Sequence, residues 1–125
     1  MDYVYRRCVQ FADTDAAGVV HFARLLCYVE EAEHACLVEL GIPLLGDVGW
    51  PRVDVQCSYH TPLKMGDVVE VAMEVLKLGA TSIVWKFSMV NGESRVAEGK
   101  IKTVCVGRDG KPVPLSEAWR SLLLG

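Results

Sequence analysis

The chain has no apolar run approaching the roughly 20 residues that a membrane-crossing helix needs, so no span is expected to cross a bilayer. It has no excess of basic residues either. Its 13 Lys and Arg are scattered against 16 Asp and Glu, a formal charge of −3, which argues against a nucleic-acid partner that would demand a concentrated basic face. Cysteine pairing signals are missing: there are five cysteines, an odd number, and no C-x-x-C. Cys8, Cys27, Cys36, Cys57 and Cys105 mostly occupy apolar positions of periodic segments, and read as buried reduced thiols. His21, His34 and His60 are not spaced as a metal pair, so neither metal nor cofactor is expected. The opening residues, Met1 to Arg7, lack the apolar centre of a secretory signal, which points to a cytoplasmic protein. G-x-S-x-G, Walker A, G-x-G-x-x-G and H-E-x-x-H are all absent, and with them serine-nucleophile, nucleotide-loop and zincin chemistry.

What remains is an ordinary globular composition, 51% hydrophobic and 23% charged, over 125 residues, which makes one domain spanning residues 1–125. Tyr3, Tyr5, Val9 and Phe11 suggest a first strand from Tyr3 to Phe11. Phe22, Leu25, Leu26, Val29, Ala32, Cys36 and Leu40 then recur every three or four residues, with Glu30, Glu31, Glu33 and His34 mostly off the stripe. This predicts one long amphipathic helix stopped by Gly41 and Pro43. Four alternating segments follow, beginning near Val53, Val69, Ile83 and Ser94. Asn91-Gly92 predicts a type I′ hairpin between the last two, and the small residues Ala97 and Gly99 on the last suggest a closely packed helix. Ser116 caps a short terminal helix ending near Leu124. The order implies an α+β fold, an antiparallel sheet of about five strands wrapped around one long central helix. So small a sheet leaves edges and apolar surface, so a homodimer at least is expected, with a homotetramer as the larger alternative.

The chemistry concentrates between first strand and helix, in Asp13-Thr14-Asp15-Ala16-Ala17-Gly18-Val19-Val20-His21-Phe22. A helix start supplies unpaired N–H groups and positive dipole for a developing oxyanion, and Asp13 or Asp15 could supply a carboxylate. Either acid could equally be a cap or Asx-turn residue.

This stretch, with Leu25 after it, resembles the hotdog-fold acyl-CoA thioesterases of the 4-hydroxybenzoyl-CoA thioesterase and YbgC type. It is especially similar to the 1,4-dihydroxy-2-naphthoyl-CoA thioesterases, and the likeness extends along the chain through the Pro62…Gly66-Asp67 turn and Asn91-Gly92. The resemblance implies hydrolysis of an acyl-CoA with Asp15 as catalytic residue, either a nucleophile forming a mixed anhydride or a general base for water. It places the polarising N–H at Phe22 and has Gly18 shape the loop. His21, where relatives often carry an aromatic residue, is either a hydrogen-bond partner of Asp15 or substrate or an ordinary core or interface histidine. Asp13 reads mainly as structural. Glu30 matches a family position that faces the acyl pocket, the alternative being a solvated acid or a partner of His34. Ser58, Tyr59, His60 and Thr61 resemble the segment a neighbouring subunit adds to the site. The basic cluster that holds nucleotide phosphates in the 4-hydroxybenzoyl-specific enzymes is replaced here by Gly79, Ala80 and Thr81. Lys64, Lys77, Ser82 and Arg95 are then the candidates for binding CoA, with acyl-carrier protein as the alternative carrier. Two competing readings are a hotdog dehydratase, which His21-Phe22 only superficially supports, and a non-catalytic acyl-CoA-binding protein.

Overall fold

The computed structural model describes residues 2–125. Strand β1 (Asp2–Cys8) leads through a one-turn 3-10 helix (Phe11–Asp13) to helix α1 (Phe22–Leu40). Strands β2 (Arg52–Tyr59), β3 (Val68–Leu78), β4 (Ser82–Asn91) and β5 (Ser94–Val104) follow, then helix α2 (Glu117–Leu124). The five strands form one sheet in the order β1-β3-β4-β5-β2, every pairing antiparallel. Because β1 and β2 are its two edges and α1 joins them, the helix must cross the sheet face, where it buries Leu25, Tyr28, Val29, Ala32, Cys36 and Leu37. The sheet answers with Val69, Val71 and Met73 of β3 and Ile83, Trp85, Phe87 and Met89 of β4, the period-two faces that the sequence shows. No helix is long and apolar enough to cross a membrane among the described residues.

Local chemistry sets the ends. Gly41 closes α1 in the left-handed conformation at φ 77°, and its N–H reaches the carbonyls of Leu37 and Val38. Ser116 caps α2 by accepting from the Trp119 N–H at 3.1 Å. Several expectations need correction. β1 ends at Cys8, and Phe11 opens a 3-10 turn with its ring 77% exposed, because Asp13 pulls the Gln10 N–H back into a cap. Phe22 heads the helix but is exposed, whereas Glu33, read as off the stripe, is fully buried among its members. Cys8 and Cys27 are exposed and Cys57 half-buried, leaving only Cys36 and Cys105 enclosed. The β4–β5 hairpin pairs Asn91 with Ser94, so its turn residues are Gly92 and Glu93 and only Gly92 has positive φ, which is the II′ pattern. Finally, the close neighbour of Gly99 is no helix. A Cβ there would lie 1.8 Å from the Gln56 carbonyl oxygen and 2.9 Å from the Phe87 ring.

Candidate active site

Asp15 begins a tight loop that returns on itself before α1. Its N–H donates to the Val19 carbonyl at 2.9 Å, its own carbonyl accepts from Gly18, and Thr14 pairs with Val20 across the base. Gly18 takes φ 80°, a conformation costly for other residues. The Asp15 side chain is exposed, with Oδ1 accepting the Ala17 N–H at 2.9 Å. One carboxylate oxygen therefore orients the group while the residue stays open to solvent.

Asp13, two residues earlier, is the opposite case. It is buried and accepts from Arg24 at 2.7 Å, Tyr28 at 2.7 Å and the Gln10 N–H at 2.9 Å, with Arg7 at 3.4 Å. Although burial opposes ionisation, these donors outweigh it and hold the carboxyl at about 2. Asp13 is a structural anion that ties the loop to α1, as the sequence suggests.

At the helix start His21 is the N-cap. Its Nδ1 accepts the Ala23 N–H at 3.2 Å, which fixes the lone pair on Nδ1, and its carbonyl accepts the Arg24 N–H at 2.8 Å. The Phe22 N–H takes no partner among the described residues, so it is the first-turn donor left for a substrate oxygen. His21 Nδ1 is thus engaged by the cap, and no hydrogen bond joins His21 to Asp15.

A pocket of about 260 Å³ opens beside this helix start, lined by Val20, Phe22, Leu25, Tyr59, His60, Thr61 and Pro62. The end of β2 supplies its second wall within the same chain: the Tyr59 hydroxyl donates to the Phe22 carbonyl at 3.3 Å, and the two rings meet edge to face at 6.2 Å. Burial, with the neighbouring Cys57, pushes the Tyr59 hydroxyl up to about 12, so it remains a donor. Ser58 lies outside this lining, as do Asp15 and Gly18. Behind the wall His60 meets Glu98 at 3.1 Å, and Arg95 contacts both. The His60 and Arg95 donors hold the Glu98 carboxyl below its ordinary range.

The topology sorts the four CoA-binding candidates. Lys64 follows Leu63, whose carbonyl accepts the Val20 N–H at 2.8 Å, so Lys64 and Arg95 stand at the helix-start end. Lys77 pairs with Val84 and Ser82 with Val104 at the opposite end of the sheet, so within one chain neither is brought to Asp15.

Further along the same helix face, four and eight residues after Phe22, Leu26 and Glu30 line a second cavity of about 180 Å³ with Cys27, Val29, Arg52, Val55 and Ile101. Glu30 pairs there with Arg52 at 3.0 Å, not with His34. Arg52 is the residue that the sequence reading missed. Its guanidinium also grips the buried Glu33, donates to His34 Nε2 at 3.1 Å and reaches the Trp50 carbonyl at 3.1 Å. Burial pushes the Glu33 carboxyl up, against Arg52 and the Thr103 hydroxyl, which donates to it at 2.7 Å. The available signal was the spacing Val29, Ala32, Glu33, Cys36, which puts Glu33 inside the buried stripe.

An exposed carboxylate on a tight loop, and a free N–H at a helix start beside an apolar pocket, are groups that carbonyl attack can use. Residues 17–98 match the family model of the thioesterase superfamily. A 1,4-dihydroxy-2-naphthoyl-CoA hydrolase of Synechococcus elongatus is 33% identical over 122 residues, covering 90% of each chain. Among solved structures, a 1,4-dihydroxy-2-naphthoyl-CoA thioesterase from Synechocystis superposes with a TM-score of 0.89 at 26% identity, over 99% of this chain and 96% of that one. A gentisyl-coenzyme A thioesterase superposes at 0.88 with 28% identity, over 96% and 98%. The hotdog architecture is therefore established, and the chain belongs to the thioesterase superfamily, a family of thioester hydrolases.

Proposed function

We propose that this protein hydrolyses the CoA thioester of a hydroxylated aromatic acid, of the 1,4-dihydroxy-2-naphthoyl type, with Asp15 as the catalytic carboxylate. The observation that carries the proposal is the Phe22 N–H left unpartnered at the start of α1, beside an open pocket and the Asp15 loop. The thioester carbonyl oxygen accepts from the Phe22 N–H, so charge that develops on it during attack meets a donor and the positive end of the helix. Asp15 then acts either directly, expelling CoA thiolate and leaving a mixed anhydride for water to open, or by taking a proton from water as it attacks. Its Asx-turn bond to Ala17 orients the carboxylate in both cases. The apolar lining seats the acyl portion, and Lys64 supplies positive charge at the same end for the phosphates of CoA, with Arg95 nearby in an ion pair with Glu98. The relatives named above act on aromatic thioesters, which supports the acyl class. A second copy is proposed to cover the exposed edge of β2.

The test is thiol release from hydroxynaphthoyl-, benzoyl- and aliphatic CoA thioesters by wild type and Asp15→Asn. Asn can keep the turn, so the fold should be unaffected. An aromatic thioester turned over at about 10⁴ M⁻¹s⁻¹ or faster, with a loss of roughly a hundredfold or more in the variant, supports the reading. Binding without turnover would leave an acyl-CoA-binding module instead.

A further inference from the structure

The backbone that leads into α1 is held almost to its end. Asp15 pairs with Val19 and Thr14 with Val20, the Val20 N–H reaches the Leu63 carbonyl at 2.8 Å, and the His21 N–H reaches the Asp13 carbonyl at 3.3 Å. On the far side, Leu25 is the first helical residue that the core encloses. Phe22, which carries the unpartnered N–H, falls in the gap between the two, with its ring 61% exposed. A helix end packed so little frays. The sheet reaches Phe22 through Tyr59, whose hydroxyl donates to the Phe22 carbonyl at 3.3 Å and whose ring meets the Phe22 ring edge to face at 6.2 Å.

We propose that Tyr59 is a positioning residue for thioester hydrolysis: through the Phe22 carbonyl it fixes the first turn of α1, so that the Phe22 N–H stays aimed at the substrate oxygen. The inference rests on the thioesterase reading above. The Phe22 carbonyl and the Ala23 N–H belong to one peptide plane. His21 Nδ1 accepts that N–H at 3.2 Å and the Tyr59 hydroxyl donates to that carbonyl, so the plane is held from both sides. The plane before it, between His21 and Phe22, carries the catalytic N–H, and its carbonyl accepts the Arg24 N–H at 2.8 Å. That Arg24 N–H lies beyond the plane that Tyr59 holds, so loosening the one releases the other. The strut has a firm base. The His60 and Thr61 N–H groups both reach the Val96 carbonyl, at 2.8 and 3.3 Å, and the His60 ring meets Glu98 at 3.1 Å, which ties the end of β2 to β5. Cys57, the other group facing the hydroxyl, is a weak acceptor, so the proton goes to the Phe22 carbonyl. The ring alone would make the pocket wall; the hydroxyl couples that wall to the oxyanion donor.

The experiment measures kcat and KM of wild type, Tyr59→Phe and Tyr59→Leu on whichever of the CoA thioesters named above wild type turns over fastest, together with amide hydrogen exchange at Ala23 and Arg24. Phenylalanine keeps the ring and the pocket wall, so KM should stay within about twofold of wild type while kcat falls about tenfold, the mark of a lost transition-state interaction. Exchange at both amides should quicken about fivefold in the same variant. Leucine removes the ring as well and should add a rise in KM to the same loss of kcat. Burial pushes the Tyr59 hydroxyl up to about 12, so the ratio of wild-type to Tyr59→Phe kcat should stay constant from about pH 6 to pH 10. A wild-type kcat in Tyr59→Phe, or a raised KM with kcat unchanged, overturns the proposal and leaves the thioesterase reading intact. A tenfold loss of kcat with exchange unchanged overturns it too, because the hydroxyl would then act on the substrate and not on the helix. Wild type that turns over no thioester overturns both.

Discussion

The Tyr28 hydroxyl donates to Asp13 Oδ2 at 2.7 Å, joining the middle of α1 to the loop that precedes it. With Arg24 on Oδ1 and the Gln10 N–H on Oδ2, it leaves the carboxylate saturated and about 1% exposed. The anion thereby ties the start of the loop that carries Asp15 to the helix that Phe22 heads.

A carboxyl lowered from 3.8 to about 2 contributes stability that is present above the unfolded value and is lost as pH falls through the folded one. The contribution is about 2 kcal/mol, so wild type should lose that much between pH 5 and pH 2 beyond what its other acids cause. Urea midpoints across that range should show a correspondingly shallower pH dependence in Asp13→Asn. Parallel curves for the two proteins would mean that the carboxylate is not charged in the fold.

Phe22→Pro tests the oxyanion donor without disturbing the helix. Proline is favoured at a first helical position, and His21 already has the extended backbone, φ −62° and ψ 140°, that a residue before proline prefers. The substitution removes the N–H and also the ring, so Phe22→Ala is the control for the ring alone. Loss of one oxyanion donor costs about 2.7–4 kcal/mol of transition-state stabilisation. We expect kcat of the proline variant to fall roughly a hundredfold or more below that of the alanine variant, at similar helicity by circular dichroism. Equal rates would remove Phe22 from the mechanism.

Gly99 seats β2 on the sheet, opposite Cys57 on one side and Phe87 on the other. A methyl group at Gly99 meets the Gln56 backbone, which cannot rotate away as a side chain would, so β2 must lift. Gly99→Ala should cost about 1–3 kcal/mol in denaturant unfolding. Because β2 carries Tyr59 to the pocket beside the helix start, the variant should also lose activity at temperatures where it remains folded. A wild-type melting curve and rate would show that the strand accommodates the methyl group.

The elements were legible where the signal is local. The three- and four-residue spacing from Leu25 to Leu40 with Gly41 behind it marks α1, and alternation marks β3 and β4, because burial there repeats with the backbone's own period. Glu33 was missed because a glutamate's solubility is local while its burial depends on Arg52, 19 residues on and across a loop. Lys64 and Lys77 look alike in sequence, yet they fall at opposite ends of the sheet once β3 pairs antiparallel with β1 and β4. The break between first strand and helix that holds Asp15 and Phe22 was legible from its small and acidic residues, whereas a role for either rests on resemblance. The wall of Tyr59 and His60 was not legible as a contact within one chain: the resemblance gave that segment to a neighbouring subunit, and only the folded chain brings the end of β2 to Phe22.

The edge of β2 sets the last prediction. Its outer side has no strand beside it among the described residues, and Val53, Val55 and Tyr59 are 57%, 47% and 44% exposed, with Tyr59 against Phe22, itself 61% exposed at the helix start. An open edge with this much apolar surface would invite uncontrolled pairing, and a second copy closing it removes both problems at once. Light scattering should give a mass of about twice 13.8 kDa or a multiple of that. Val53→Lys places charge on the edge and should shift the protein to monomer. If the partner completes the site, activity should fall with the dimer fraction and recover at higher protein concentration. A fully active monomer would show that each chain carries a complete site, and a wild-type mass of 13.8 kDa would sink the dimer altogether.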